Sequence, residues 1–188
     1  MNVKNLVWGF TPLLVFALVT PLVGPGPGAA AGLLVAVAVV LGDRKHGVRI
    51  VPVVTAVILA VIGIVAVLGD SGTDRFLTDY GRGLAGLALA AYILVTALPA
   101  PFTAQFARQA APERVWHEPA FRRLNTRIST AWGCAVLAAS AAHLAAAALP
   151  DGRAGGRLLT WGVLAAAVAL ALRYTRYEVQ SAQHPRPH

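Results

Sequence analysis

An all-α membrane protein, a bundle of six transmembrane helices, is the fold class that this 188-residue chain predicts. Three observations predict it. Hydrophobic residues make up 57% of the chain and charged residues 13%, with mean hydropathy +0.64. Water-soluble domains carry about 45–50% apolar and about 25% charged residues, so a soluble domain is excluded, and the chain is too apolar for disorder. The charge is gathered between long apolar runs. Those runs lack the alternation of barrel strands. A backbone that crosses lipid without closing into a barrel must pair its amides within each segment, as a helix does.

Crossing a hydrocarbon core of roughly 30 Å takes about 20 helical residues. Six runs qualify in order: 6–23, 29–42, 50–69, 84–102, 128–149 and 158–172. The second and sixth are short, with flanking Gly or Arg into which each can extend by a turn. The fifth carries Ala131, Ala135, Ala138, Ala142 and Ala146 at near-helical spacing, a smooth surface for close packing in lipid. The connections are polar. Gly24-Pro25-Gly26-Pro27-Gly28 reads as a turn, 43–49 as a compact basic loop, 70–83 as an acidic loop, and 103–127 as a long basic one. A turn at 150–157 and a frayed tail at 173–188 complete the chain. This organisation predicts one transmembrane domain over 1–173 and a polar cytoplasmic tail over 174–188.

Lys and Arg accumulate on the cytoplasmic side of membrane proteins. With the N-terminus inside, the inner set is Lys4, Arg44, Lys45, Arg49, Arg108, Arg114, Arg122, Arg123, Arg127, Arg173, Arg176 and Arg186. The outer set is Arg75, Arg82, Arg153 and Arg157, so the 16 basic residues divide twelve to four. Both termini are therefore expected inside. The net charge of +8 reports topology here; it fits nucleic acid by sign but not by location. Trp8, Trp132, Trp161, Tyr80, Tyr174 and Tyr177 lie near span ends, where amphipathic rings prefer the headgroup level.

Few residues carry recognisable chemistry. Asp70, Asp74 and Asp79 form an acidic outer loop; paired carboxylates can hold a divalent cation or a diphosphate, and the same composition makes an ordinary solvated turn. His143 is an ionisable side chain well inside a span. It is either a hydrogen-bonded imidazole facing Ser140 or a neighbouring helix, or a proton-relay or substrate group. The lone Cys134 reads as a packing residue. Gly81, Gly83 and Gly86 match a dinucleotide pattern, but they run into an apolar helix without a preceding strand, which points to helix packing. No cofactor motif and no metal-ligand spacing is present.

The loop between the fourth and fifth spans is the informative region. It reads Pro101-Phe102-Thr103-Ala104-Gln105-Phe106-Ala107-Arg108, then Pro112, Trp116, Pro119, Phe121, Asn125, Thr130 and Trp132. Five arginines mixed with Phe106, Trp116 and Phe121 fit an anionic inner leaflet. Such Trp and Pro density predicts a fixed fold: a short interfacial helix or a re-entrant hook, with a helix start at Pro112-Glu113. Gln105 and Arg108 are placed to satisfy the last carbonyls of the fourth span, and Asn125 and Thr130 to cap the fifth or bond across helices. The motif is then a clasp between two spans.

Residues 101–133 also resemble small bacterial membrane proteins related to the intracellular septation protein A family, with Phe106 where the pattern carries Tyr. The resemblance implies a multi-pass protein of the bacterial inner membrane, tied to division and envelope maintenance without an established catalytic reaction. It marks Gln105, Arg108, Trp116, Asn125, Thr130 and Trp132 as motif positions. The leading expectation is a non-enzymatic membrane protein with membrane-protein partners or a second copy of itself. A small-molecule transporter, drawing on the spans broken at Pro12, Pro21 and Pro99, and an intramembrane enzyme acting on a lipid or isoprenoid are the alternatives.

Overall fold

The computed structural model describes residues 7–43, 49–109, 111–149 and 153–183. The readings placed on Lys4, Arg44, Lys45 and Arg186 lie outside the described residues. Among the described residues the chain is helical, with no strand: α1 (Thr11–Val23), α2 (Pro25–Asp43), α3 (Ile50–Leu68), α4 (Ser71–Thr96), the short α5 (Ala104–Arg108), a 3₁₀ turn (Glu113–Val115), α6 (Pro119–Ala148) and α7 (Arg153–Gln183). Four stretches are long and apolar enough to cross a membrane: Pro25–Gly42, Ile50–Leu68, Pro119–Ala148 and Leu158–Ala182. The thirteen-residue α1 is about 20 Å long at 1.5 Å per residue, shorter than a bilayer core.

Several connections expected as loops are helical. At 24–28 a single residue, Gly24, breaks the chain with φ 94°, and α2 begins at Pro25. Proline lacks only an amide that the first helical turn leaves unpaired anyway, so Pro25 and Pro27 start the helix. The acidic segment 70–83 is also helix. The Asp70 carboxylate accepts the Thr73 amide at 2.8 Å and the Thr73 hydroxyl at 2.9 Å, which makes it the N-cap of α4. Pro119 starts α6 nine residues before the expected span, whereas Pro112-Glu113 opens only a 3₁₀ turn. The tail expected to fray from 173 continues as α7 through Gln183.

Successive long helices run antiparallel and touch through small residues. A Cβ on Gly32 of α2 would meet the Pro12 carbonyl oxygen of α1 at 2.9 Å and Leu59 Cδ1 of α3 at 2.7 Å. On α4, a Cβ on Gly83 would meet Leu144 of α6 at 2.5 Å, and one on Gly86 would strike the Ser140 hydroxyl. Gly133 of α6 reciprocates against Leu94 at 2.7 Å. The glycine pattern of α4 thus brings two backbones together, which is how helices associate where lipid removes the hydrophobic drive. α4 packs along α6, α6 along α7, and α1, α2 and α3 form a second layer joined to α4. The outer surface is apolar: Leu22, Val67, Leu68, Val95 and Leu158 are each at least 75% exposed. So large an apolar surface calls for lipid, and the chain is a membrane protein.

Candidate functional site

At one end of the bundle an aromatic knot ties the helices together. Phe10, just before α1, stacks on Trp132 of α6 with centroids 5.3 Å apart. It also meets Phe102 edge-on at 6.2 Å, and Phe102 meets Phe106 of α5 at 6.4 Å. All four rings are buried. The buried indole needs a partner for its N–H; Trp132 Nε1 donates to Thr175 Oγ1 of α7 at 3.1 Å. Thr175 in turn donates to its own helix at Ala171 O, 2.7 Å away. Hydropathy puts Trp132 at the headgroup level and Thr175 in a frayed tail. Thr175 is instead buried in α7, which runs past its apolar stretch, and Trp132 is buried against it.

Around the knot, the segment leaving α4 is sewn to α6. The buried Thr103 hydroxyl donates to the Asn125 carbonyl at 2.9 Å and lies 2.9 Å from Ser129 Oγ. Ser129 Oγ also accepts the Thr103 amide at 3.3 Å. Arg122 Nη2 donates to the Leu98 carbonyl at 3.1 Å. Gln105 does not serve α4: its Oε1 accepts the amide of Ile50 at 3.1 Å, capping the start of α3. Beside it the buried Arg49 guanidinium lies 5.0 Å from the Phe106 ring centre, a cation–π contact.

The remaining motif positions are scattered. Arg108 is exposed and sits 5.5 Å from the Trp116 ring centre, while Trp116 Nε1 donates to the Ala111 carbonyl at 3.0 Å. Asn125 is not a cap, because α6 starts six residues earlier. Its Nδ2 donates to Phe121 O at 2.8 Å, and its buried Oδ1 has no partner. Thr130 is exposed, contrary to its assignment as a bonding group. The buried register of α6 runs Asn125, Ile128, Ser129, Trp132 and Gly133, and a 100° step per residue turns 130 outward. The working hydroxyls are Ser129 and Thr103. The Thr103 position was legible in the quoted motif; the register of Ser129 was not.

The acidic residues do not assemble. Asp70, Asp74 and Asp79 are all exposed along α4, and no group of three metal-ligating side chains exists among the described residues. Hydrogen bonds from the Thr73 amide and hydroxyl hold the Asp70 carboxyl below its ordinary value of 3.8. His143 stands apart from the motif. It lines a cavity of about 150 Å³ between α1, α4, α6 and α7, together with Arg82, Ser140, Thr160, Trp161 and otherwise mainly apolar side chains. Hydropathy assigns Arg82 to a loop; the helical extension of α4 brings it to this cavity.

No protein-family model, curated protein or solved structure matches this chain.

Proposed function

We propose that this chain is a non-enzymatic, six-pass protein of a bacterial plasma membrane, with both termini in the cytoplasm, acting in septation or envelope maintenance. The observation that carries the non-enzymatic part is the use to which the 101–133 segment is put. Thr103, Gln105, Arg122 and Ser129 bond helix ends and one another, and His143 lies elsewhere, in an apolar cavity. A catalytic site gathers its polar groups around one reacting atom; here they are spent on joining helices. The twelve-to-four division of basic residues supports the orientation. The resemblance of residues 101–133 supports the link to septation.

The knotted end also carries the exposed Arg108, Arg114, Arg122, Arg123 and Arg127. Facing the cytoplasm, this skirt meets an anionic leaflet, where each basic residue contributes about 1 kcal/mol. Deletion in the source bacterium, scored by cell length and by septal position of a fluorescent fusion, tests the reading. Elongated or misdivided cells, together with capture of division or cell-wall membrane proteins, are the expected result. Normal division with uniform membrane distribution and no such partner would overturn it.

A further inference from the structure

The cavity beside His143 has a polarity along its length. It reaches from Phe10 and Trp132 at the knotted end to Arg82 and His143 at the other. Trp132 and His143 are eleven residues apart on one helix, roughly 16 Å at 1.5 Å per residue. A volume of about 150 Å³ over that length is a slot about one hydrocarbon chain wide. Its long walls are α1, through Leu13, Leu14 and Ala17, and α7, through Leu164 and Val168. These two helices do not pack along each other; α1 rests on α2 and α7 on α6. The slot is therefore a seam at the side of the bundle, on the lipid side of the α4–α6 pair.

The polar end is only partly balanced. Arg82 is half-buried, and its Nε is buried without a hydrogen-bond partner. Asp79, one turn before it, acts on the guanidinium through its charge but is itself exposed. A guanidinium beside apolar walls calls for an anion, and its planar fork matches phosphate. Arg82 stands two residues before the apolar stretch beginning at Leu84, from where a long basic side chain reaches the headgroup level. Other occupants fit less well. A helix of a partner chain, about 10 Å across, is too wide for the slot. An aqueous path needs polar partners along its length, and those are confined to one end.

We propose that the seam between α1 and α7 holds one acyl chain of an anionic glycerophospholipid from the surrounding bilayer, its phosphate on Arg82 and His143. The second chain stays in the bilayer outside the seam. The inference is independent of septation; it needs only that α1, α4, α6 and α7 lie in lipid.

Trp161, which lines the seam and is 38% exposed, is the reporter. Full-length protein in phosphatidylcholine vesicles is titrated with phosphatidylglycerol brominated on its chains, and separately with equally brominated phosphatidylcholine. The signal of Trp161 is taken as the difference from Trp161→Phe. Quenching by the anionic lipid is expected at a mole fraction about fivefold lower, as for one basic residue against one anionic headgroup. Arg82→Gln should erase that preference, and Arg82→Lys, which keeps the charge, should retain it at unchanged helicity. Ala139→Phe, filling the slot, should weaken quenching by both lipids. Equal quenching by the two lipids, or a preference that survives Arg82→Gln, would overturn the proposal. So would saturable quenching by a brominated fatty acid with none by phosphatidylglycerol.

Discussion

Thr103 concentrates more of the bundle's polar bonding than any residue of conspicuous chemistry. Its hydroxyl has contacts at the Asn125 carbonyl and Ser129 Oγ within a fully buried junction. Thr103→Val keeps the shape and leaves Ser129 short of a partner, so it should cost about 1–3 kcal/mol, read as a lowered unfolding midpoint in detergent. Asn125→Leu should cost less despite equal burial: Nδ2 bonds only its own helix, and Oδ1 bonds nothing. Measured side by side, the two variants separate a bonded junction from a merely buried one; a larger loss for Asn125→Leu would contradict this account. Trp132→Phe keeps a ring against Phe10 and loses the bond to Thr175, about 0.5–1.5 kcal/mol. At the other end of the molecule Asp70 gives a pH dependence. Its folded pKa lies below its ordinary 3.8, so its contribution is complete above that ordinary value and fades as pH falls through the lowered one. The unfolding temperature of Asp70→Ala should therefore fall less than that of the unmodified protein on acidification below about pH 4.

Helix pairs in this protein are set by where side chains are missing. The α4–α6 contact needs Gly86 because a methyl there meets Ser140 Oγ, which is itself held by a bond to Val136 O at 2.7 Å. Gly86→Ala should cost about 1–3 kcal/mol through overpacking, and Ser140→Gly in the same chain should return part of that loss; thermal unfolding of the single and double variants checks both. Gly162, where an added Cβ would meet nothing within 4 Å, is the control: Gly162→Ala should be neutral or mildly stabilising in a helix interior. Gly24 is a different case. It also has open space around it, but its φ of 94° and ψ of 171° lie in a region that essentially only glycine adopts, at a cost to a side chain of roughly 1–3 kcal/mol, so Gly24→Ala should destabilise without any clash.

For the molecule as a whole, the testable quantity is parity. Phe10, the start of α3 at Ile50, Phe102, the start of α6 and Thr175 all gather at one end. On the six-pass reading proposed above, a chain that returns there after α7 crosses an even number of times. Single cysteines at Asn5 and Ser181, in a Cys134→Ala background, should label from the same side of oriented vesicles, and one at Ser71 from the opposite side. Labelling of Asn5 and Ser181 from opposite sides would break the six-pass reading. Helix type and four of the apolar runs, those at 29–42, 50–69, 128–149 and 158–172, were legible because apolar runs of this length have few other structures available in lipid. Span ends were less legible: hydropathy marks where a helix leaves the oil, while Asp70, Pro119 and Thr175 continue or start helices in polar sequence.

Composition and the order of apolar runs were enough to establish a helical membrane protein, since the cost of unpaired amides in hydrocarbon acts on each segment separately. Partners across the bundle needed the folded chain. That Ser129 faces inward and Thr130 outward, that Gln105 caps a helix 55 positions away, and that Arg82 shares a seam with His143 all depend on rotation and depth. Those two quantities are fixed when side chains from distant segments interlock, and no stretch of sequence encodes them alone.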